Sequence, residues 1–112
     1  MFVEMPSTSD KVVFSSSKIS PDNDGNEDFL TIMLNLKGNG NVVSVMVFDE
    51  AGNYVRKIAA NLFAGAEASV IWDGTADDGS IVSTGIYIIL ITLYDDAGKT
   101  NRWKKVCTVI RN

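Results

Sequence analysis

The sequence contains no histidine. Serine–histidine and cysteine–histidine nucleophile pairs are therefore unavailable, and so is imidazole ligation of a metal. Cysteine is nearly absent. Cys107 stands alone, which excludes an intrachain disulfide and a zinc site of several thiolates. Set in an apolar, β-branched run, it reads as a small buried hydrophobe in preference to a reactive thiol. Long apolar runs are missing too. The longest, 86–91, is strand length and far below the ~20 residues that span a bilayer. The N-terminus has neither the basic region nor the apolar stretch of a secretory signal peptide. No export address of that kind is expected in this chain, as would also hold for a piece of a larger exported protein. Gly38-Asn39-Gly40 lacks the lysine and following helix of a phosphate loop, and nothing singles out a carboxylate pair for acid–base work. The expectation is a protein without catalytic activity.

Positive charge is also in short supply. Ten Lys and Arg face fourteen Asp and Glu, a formal net charge of −4, which argues against nucleic-acid binding through phosphate neutralisation. The balance is uneven along the chain. Residues 1–28 hold Glu4, Asp10, Asp22, Asp24, Glu27 and Asp28 against Lys11 and Lys18. From Lys99 onward come Lys99, Arg102, Lys104, Lys105 and Arg111, with no acid. Either two strands carry solvated charges of opposite sign, or the C-terminal strand is a basic docking edge. In the second case Arg102, Trp103, Lys104 and Lys105 are its candidate binding residues.

What the chain does have is apolar residues in twos. At 112 residues, 46% hydrophobic and 21% charged, it has the composition of one globular domain. A domain of this size buries roughly two-thirds of its unfolded surface and needs no covalent staple. Residues 1–17 read as a tail or linker with a candidate edge strand at 11–14, and Ser15-Ser16-Ser17 as a hinge; the domain proper is placed at 18–112. In 29–36, Leu30, Ile32, Leu34 and Leu36 share one face, the alternation of a half-buried strand. Strands are expected again at 42–48, 54–60, 67–72, 86–94 and 99–110. The run 86–94 is apolar on both faces, as a strand buried in the middle of a sandwich would be. Residues 61–66 read as a loop anchored by Leu62 and Phe63. Asp49-Glu50-Ala51-Gly52 and Asp95-Asp96-Ala97-Gly98 echo each other as hairpin turns with glycine at a left-handed position. No stretch has helical periodicity. The fold class expected is all-β, an antiparallel sandwich of about seven strands, without the Cys…Trp…Cys pattern of antibody domains.

Two polar centres interrupt the strands. In the first, Asp22, Asp24, Asn26 and Asp28 alternate around Gly25, an oxygen-rich loop suited to a hard cation such as calcium. Local Asx turns opening the next strand are the alternative. The twelfth-position glutamate of an EF-hand is absent, since that place is Met33. No other cofactor is expected. In the second, Asp73, Asp77 and Asp78 lie beside Trp72 and read as turn chemistry, with Trp72 as a core plug whose indole N–H meets a carbonyl. Gly85 then opens the most apolar strand.

These residues resemble a known family. Val43, Val45, Val47, Phe48, Asp49, Gly52, Val55, Arg56, Lys57 and Ile58 form one half of the pattern. Trp72, Asp73, Gly74, Asp78, Gly79, Val82, Gly85 and Tyr87 form the other. Together they look like the Ig-like domain of the flagellar hook-capping type. Ser20-Pro21-Asp22-Asn23-Asp24-Gly25-Asn26-Glu27-Asp28 is similar to the Ser-Pro-Asn-x-Asp-Gly-x-x-Asp opening of C-terminal Ig-like domains on exported gram-negative proteins. Some of these are sorting domains for type IX secretion. The resemblance implies an Ig-like sandwich in which Trp72, Asp73, Gly74, Gly85 and Tyr87 are structural, Trp72 and Tyr87 closing the sandwich and Gly85 permitting a bend. It implies a non-catalytic structural, sorting or interaction module of a secreted or cell-surface protein. Its partners would be the parent's upstream domains and components of the secretion system or cell envelope. A carbohydrate- or surface-binding module using Trp103 or Tyr54 is the alternative.

Overall fold

In the computed structural model, which describes residues 11–15, 18–21, 28–36, 40–65, 67–95 and 98–110, the period-two pattern becomes strands throughout. They are β1 (Lys11–Phe14), β2 (Lys18–Ile19), β3 (Leu30–Asn35), β4 (Asn41–Asp49), β5 (Tyr54–Ala64), β6 (Glu67–Trp72), β7 (Gly85–Tyr94) and β8 (Thr100–Val109). Among the described residues there is no helix, and so none long and apolar enough to cross a membrane.

Two sheets face each other. The smaller has the order β1-β3-β6, antiparallel throughout. The larger has the order β2-β8-β7-β4-β5, antiparallel except where β2 runs parallel to the end of β8. Alternate residues of each strand meet between the sheets. Leu30, Ile32 and Leu34 of β3 lie opposite Val43, Val45 and Val47 of β4 and Ile89, Ile91 and Leu93 of β7, all essentially without solvent contact. Each such side chain contributes roughly 1.5–3 kcal/mol through removal from water. Cys107 and Val109 of β8 complete this layer, and burial pushes the Cys107 thiol up to about 11.

β1 and β2 lie in different sheets. β1 pairs with β3 along four residues and sends Val12 into the core. Ser15 extends that pairing, its amide donating to Thr31 O at 2.9 Å and its hydroxyl accepting from Thr31 N at 3.0 Å. The chain then crosses to the other sheet, where Ile19 pairs with Val109 and its carbonyl accepts from Ile110 N at 2.9 Å. The candidate edge strand at 11–14 is thus β1, at the edge of the smaller sheet.

Three sequence expectations are corrected. The loop placed at 61–66 is strand as far as Ala64. Asn61 takes φ 52°, a left-handed conformation asparagine tolerates, and its amide donates to Ser44 Oγ at 3.2 Å, so the ladder bends without ending. Phe63 is 83% exposed and Leu62 is exposed as well; Ala64 is the buried residue there, so the two larger side chains anchor nothing. β7 is central in its sheet but is not buried on both faces. Tyr87, Ile89, Ile91 and Leu93 face the core, whereas Ile86 and Tyr94 are exposed and Ile88 and Leu90 half-buried on the outer side. The cause is that, among the described residues, one sheet packs against it. Gly85, finally, lies in the first ladder pair of β7 without a positive φ, and a Cβ there would meet only Tyr87 Cε1 at 4.0 Å. The bend is made earlier, by Gly74 and Gly79 at φ 79° and 88°.

The two echoing turns are built alike. Asp49 and Asp95 each donate their amide to a carbonyl four residues on (Asn53 O at 2.9 Å, Lys99 O at 3.0 Å), and Gly52 and Gly98 sit at φ 89° and 84°. The aspartate side chain caps the turn from within, Asp49 Oδ1 accepting from Ala51 N and Asn53 N, Asp95 Oδ1 from Lys99 N.

Candidate functional site

The connection between β6 and β7 is a small hairpin of its own. Val82 N donates to Gly74 O at 2.9 Å, Thr75 bridges Ile81, and Ala76 N donates to Ser80 O at 2.9 Å. Its carboxylates are consumed locally. Asp73 Oδ1 accepts from the amide and hydroxyl of Thr75 at 3.2 and 2.5 Å, and Asp78 Oδ1 from those of Ser80 at 2.9 and 2.6 Å. Beneath it Trp72 is fully buried, with its indole N–H donating to Thr75 O at 2.9 Å. Its ring meets that of Tyr87 edge-on, centroids 5.6 Å apart at 61°, and the Tyr87 hydroxyl donates to Ser83 O at 2.8 Å.

This hairpin is fastened to β5, which joins the two halves of the sequence pattern. Tyr54 Oη donates to Asp77 Oδ2, and Lys57 N donates to Asp77 Oδ1 at 3.1 Å. Asp77 N donates in turn to Val55 O at 3.2 Å. Arg56 donates to Thr75 Oγ1, and its guanidinium lies 3.7 Å from Asp73 Oδ1. Tyr54 through Lys57 and Trp72 through Asp77 therefore form one structural unit, and its polar groups are spent on holding the chain. The hydrogen bond from Tyr54 holds the Asp77 carboxyl below its usual 3.8, and the same bond raises the Tyr54 phenol above its usual 10. The amide of Asn53 lowers Asp49, and the Ser80 hydroxyl lowers Asp78.

A pH dependence follows with a definite sign. Because these carboxyls have lower values folded than unfolded, their contribution is present above the unfolded value and is lost as pH falls through the folded one. The melting temperature of the wild-type chain is expected to decline on the acid side of about pH 4. Asp77→Asn, which keeps an acceptor for Tyr54 but no charge, should melt lower near neutral pH and converge on the wild type as the medium is acidified. A gap that stays constant from pH 6 to about pH 3 would show that ionised Asp77 contributes nothing.

Of the other sequence candidates, Asp22, Asp24 and Asn26 lie outside the described residues. Asp28 is half-buried just before β3. Among the described residues no three carboxylate or thiol groups come together in a way that would hold a metal ion. The four residues of the basic segment are divided by the alternation of β8. Trp103 pairs with Ile91 on the inward face, half-buried against the core, and Lys105 on that face places its ammonium 5.8 Å from the centroid of the Phe14 ring. Arg102 and Lys104 point outward. On its far side, among the described residues, β8 is paired by β2 only at Thr108 and Val109, so 100–107 form an open strand edge.

Sequence reasoning missed an outward row. Register places Tyr54, Phe48, Ile88 and Val106 side by side across β5, β4, β7 and β8, and the rings of Phe48 and Tyr54 meet edge-on, centroids 6.2 Å apart. The only signal for it in the sequence was the apolar character of both faces of 86–94.

Comparison with known proteins adds a family. The model described as CHU_C Type IX secretion signal domain matches residues 13–108. Among solved structures, dimeric latent PorU from Porphyromonas gingivalis has a matching region with TM-score 0.68 and 16% identity, over 92% of this chain and 9% of that one. FlgD from P. aeruginosa matches with TM-score 0.58 and 24% identity, over 90% of this chain and 74% of that one. CopC from Methylosinus trichosporium OB3b matches with TM-score 0.53 and 14% identity, over 91% and 96%. At these identities the three show a shared fold, the Ig-like sandwich. No curated protein matches the chain significantly.

Proposed function

We propose that this chain, which belongs to the CHU_C family of type IX secretion signal domains, is the sorting module that commits a larger bacterial protein to export by the type IX route. The family is a sorting signal and not an enzyme family, and a protein that carries it is secreted or held at the cell surface. The reading is carried by the extent of the match, 13–108, which takes in residues of all eight strands. What the machinery reads is then a folded surface. The catalytic, adhesive or other work of the parent protein belongs in this reading to domains upstream, and in the β6–β7 hairpin Asp73, Asp77 and Asp78 serve as hydrogen-bond acceptors that hold the chain.

In this reading the open edge of β8 is where a secretion or envelope component engages. Strand edges accept an added strand through their backbone groups, and Arg102 and Lys104 flank this one. Fusing residues 1–112 to the C-terminus of a soluble reporter, in a host with a working type IX system, tests the function. The reporter is expected at the surface or in the medium, and to remain inside when the system is disabled. A reporter retained in both strains would overturn the proposal.

A further inference from the structure

The outer face of the larger sheet is apolar where a solvated face of an antiparallel sheet is ordinarily polar. The row Tyr54, Phe48, Ile88 and Val106 is continued along β7 by Ile86, and the next row sets Met46 and Leu90 between Lys57 and Lys104. Beyond it Thr92 lies between Ser44 and Arg102. Tyr54, Ile86 and Val106 are 49%, 43% and 56% exposed, so the patch is open to a partner. Contiguous apolar surface with a polar rim is the usual mark of an interaction site.

Charge identifies the occupant. The outward positions of these strands carry Lys57, Arg102 and Lys104, and the one carboxylate described against them is Asp77 of the β6–β7 hairpin, bonded to Tyr54 and the Lys57 amide, so cations outnumber acids here in a chain with fourteen acids and ten bases. The face thus runs against the sign of the molecule as a whole. A second copy pressed against it through the same face would set cations against cations while desolvating them, which complementary interfaces avoid. We propose that this face docks an acidic protein segment, with aliphatic or aromatic anchors set on the apolar rows and Asp or Glu beside them meeting Lys57, Arg102 and Lys104. Taken with the sorting reading, on which this part rests, the segment belongs to the export machinery.

The test uses the full chain and two synthetic peptides, one alternating Glu with Leu and Phe, the other with Lys in place of Glu. Titrated into isotopically labelled protein, the acidic peptide is expected to perturb amide resonances of β4, β5, β7 and β8, and the lysine peptide to leave them unmoved. Ile86→Ser with Val106→Ser, and separately Arg102→Glu with Lys104→Glu, should each weaken binding by about tenfold or more. Met33→Ser with Ile71→Ser, on the outer face of the smaller sheet, should not. The same two face variants should lower reporter export to a similar degree at an unchanged unfolding midpoint. Equal binding of both peptides, perturbations centred on the smaller sheet, or self-association lost in the face variants would overturn the proposal. A wild-type fusion that is not exported sinks the sorting reading, while the peptide titration still judges the face. A wild-type fusion that is exported, with face variants exported as well as it is, sinks the face and leaves the sorting reading standing.

Discussion

Trp72→Ala is expected to destabilise the domain by about 3–5 kcal/mol, the range for truncating a buried tryptophan. Three contributions act together. The indole is wholly removed from water at the end of β6, so truncation leaves a cavity walled by Tyr87 and the core residues beneath the hairpin. The edge-on contact with Tyr87 at 5.6 Å is lost, a term of about 0.5–1.5 kcal/mol beyond burial. The Thr75 carbonyl loses the indole N–H that it accepts at 2.9 Å. Against a total stability of roughly 5–15 kcal/mol for a natural domain, the variant retains little margin. Its melting temperature should fall on the order of 10–20 °C. Trp72→Phe separates the terms. It restores most of the volume but not the donor, and should lose only about 1–2 kcal/mol. Urea unfolding of the three proteins checks the order. A loss for Trp72→Ala no larger than that for Trp72→Phe would show that the cavity collapses and that the hairpin is held chiefly by its polar bonds to β5.

Trp72 was among the features most legible in the sequence, and the reason is local. An aromatic that ends an alternating strand before Asp-Gly must either cap the core or project into solvent, and the following turn carbonyls offer its N–H a partner. The alternation of 29–36 and 67–72 was readable for the same reason: period-two burial is written in the residues themselves. What could not be read was pairing. That Val12 enters the core depends on β1 finding β3, and that the strand continues through Asn61 depends on a single left-handed residue and the Ser44 hydroxyl behind it. The split of Arg102 and Lys104 from Trp103 and Lys105 follows from alternation alone and was available in principle. Which of the two pairs faces inward was not, because both are polar–apolar mixtures and only the ladder with β7 decides it. The outward apolar row is a property of four strands in register, contributed by residues as distant in sequence as Phe48 and Val106. No window along the chain contains it.

Glycine substitutions give the second large effect and carry their own controls. Gly74, Gly79, Gly52 and Gly98 all have positive φ, so alanine at any of them meets a backbone conformation that disfavours a Cβ by about 1–2 kcal/mol. At Gly52, Gly79 and Gly98 that is the whole effect, for a Cβ there has nothing within 4 Å. At Gly74 the new Cβ would stand 2.9 Å from Cγ of Pro21, 3.4 Å from its Cβ and 3.5 Å from Cδ1 of Ile19. The proline ring can withdraw its Cγ only by a change of pucker, which leaves its Cβ in place, so much of the strain passes to the backbone of 19–21. Overpacking of that kind adds about 1–3 kcal/mol, giving about 2–5 kcal/mol for Gly74→Ala in all. The strain is directed at a sensitive place. Ile19 is the residue through which β2 pairs with Val109 and accepts from Ile110 N, so displacing it loosens the strand that pairs with the end of β8. Gly85→Ala, with no positive φ and a nearest contact of 4.0 Å, should be nearly neutral. The expected order of stability in denaturant is therefore wild type and Gly85→Ala together, Gly79→Ala and Gly52→Ala lower, and Gly74→Ala lowest. Amide exchange at Val109 and Ile110 should quicken in Gly74→Ala alone. If Gly74→Ala is no worse than Gly79→Ala and leaves that exchange unchanged, the hairpin does not bear on β2, and the Trp72 corner and the β8 edge are independent parts of the fold.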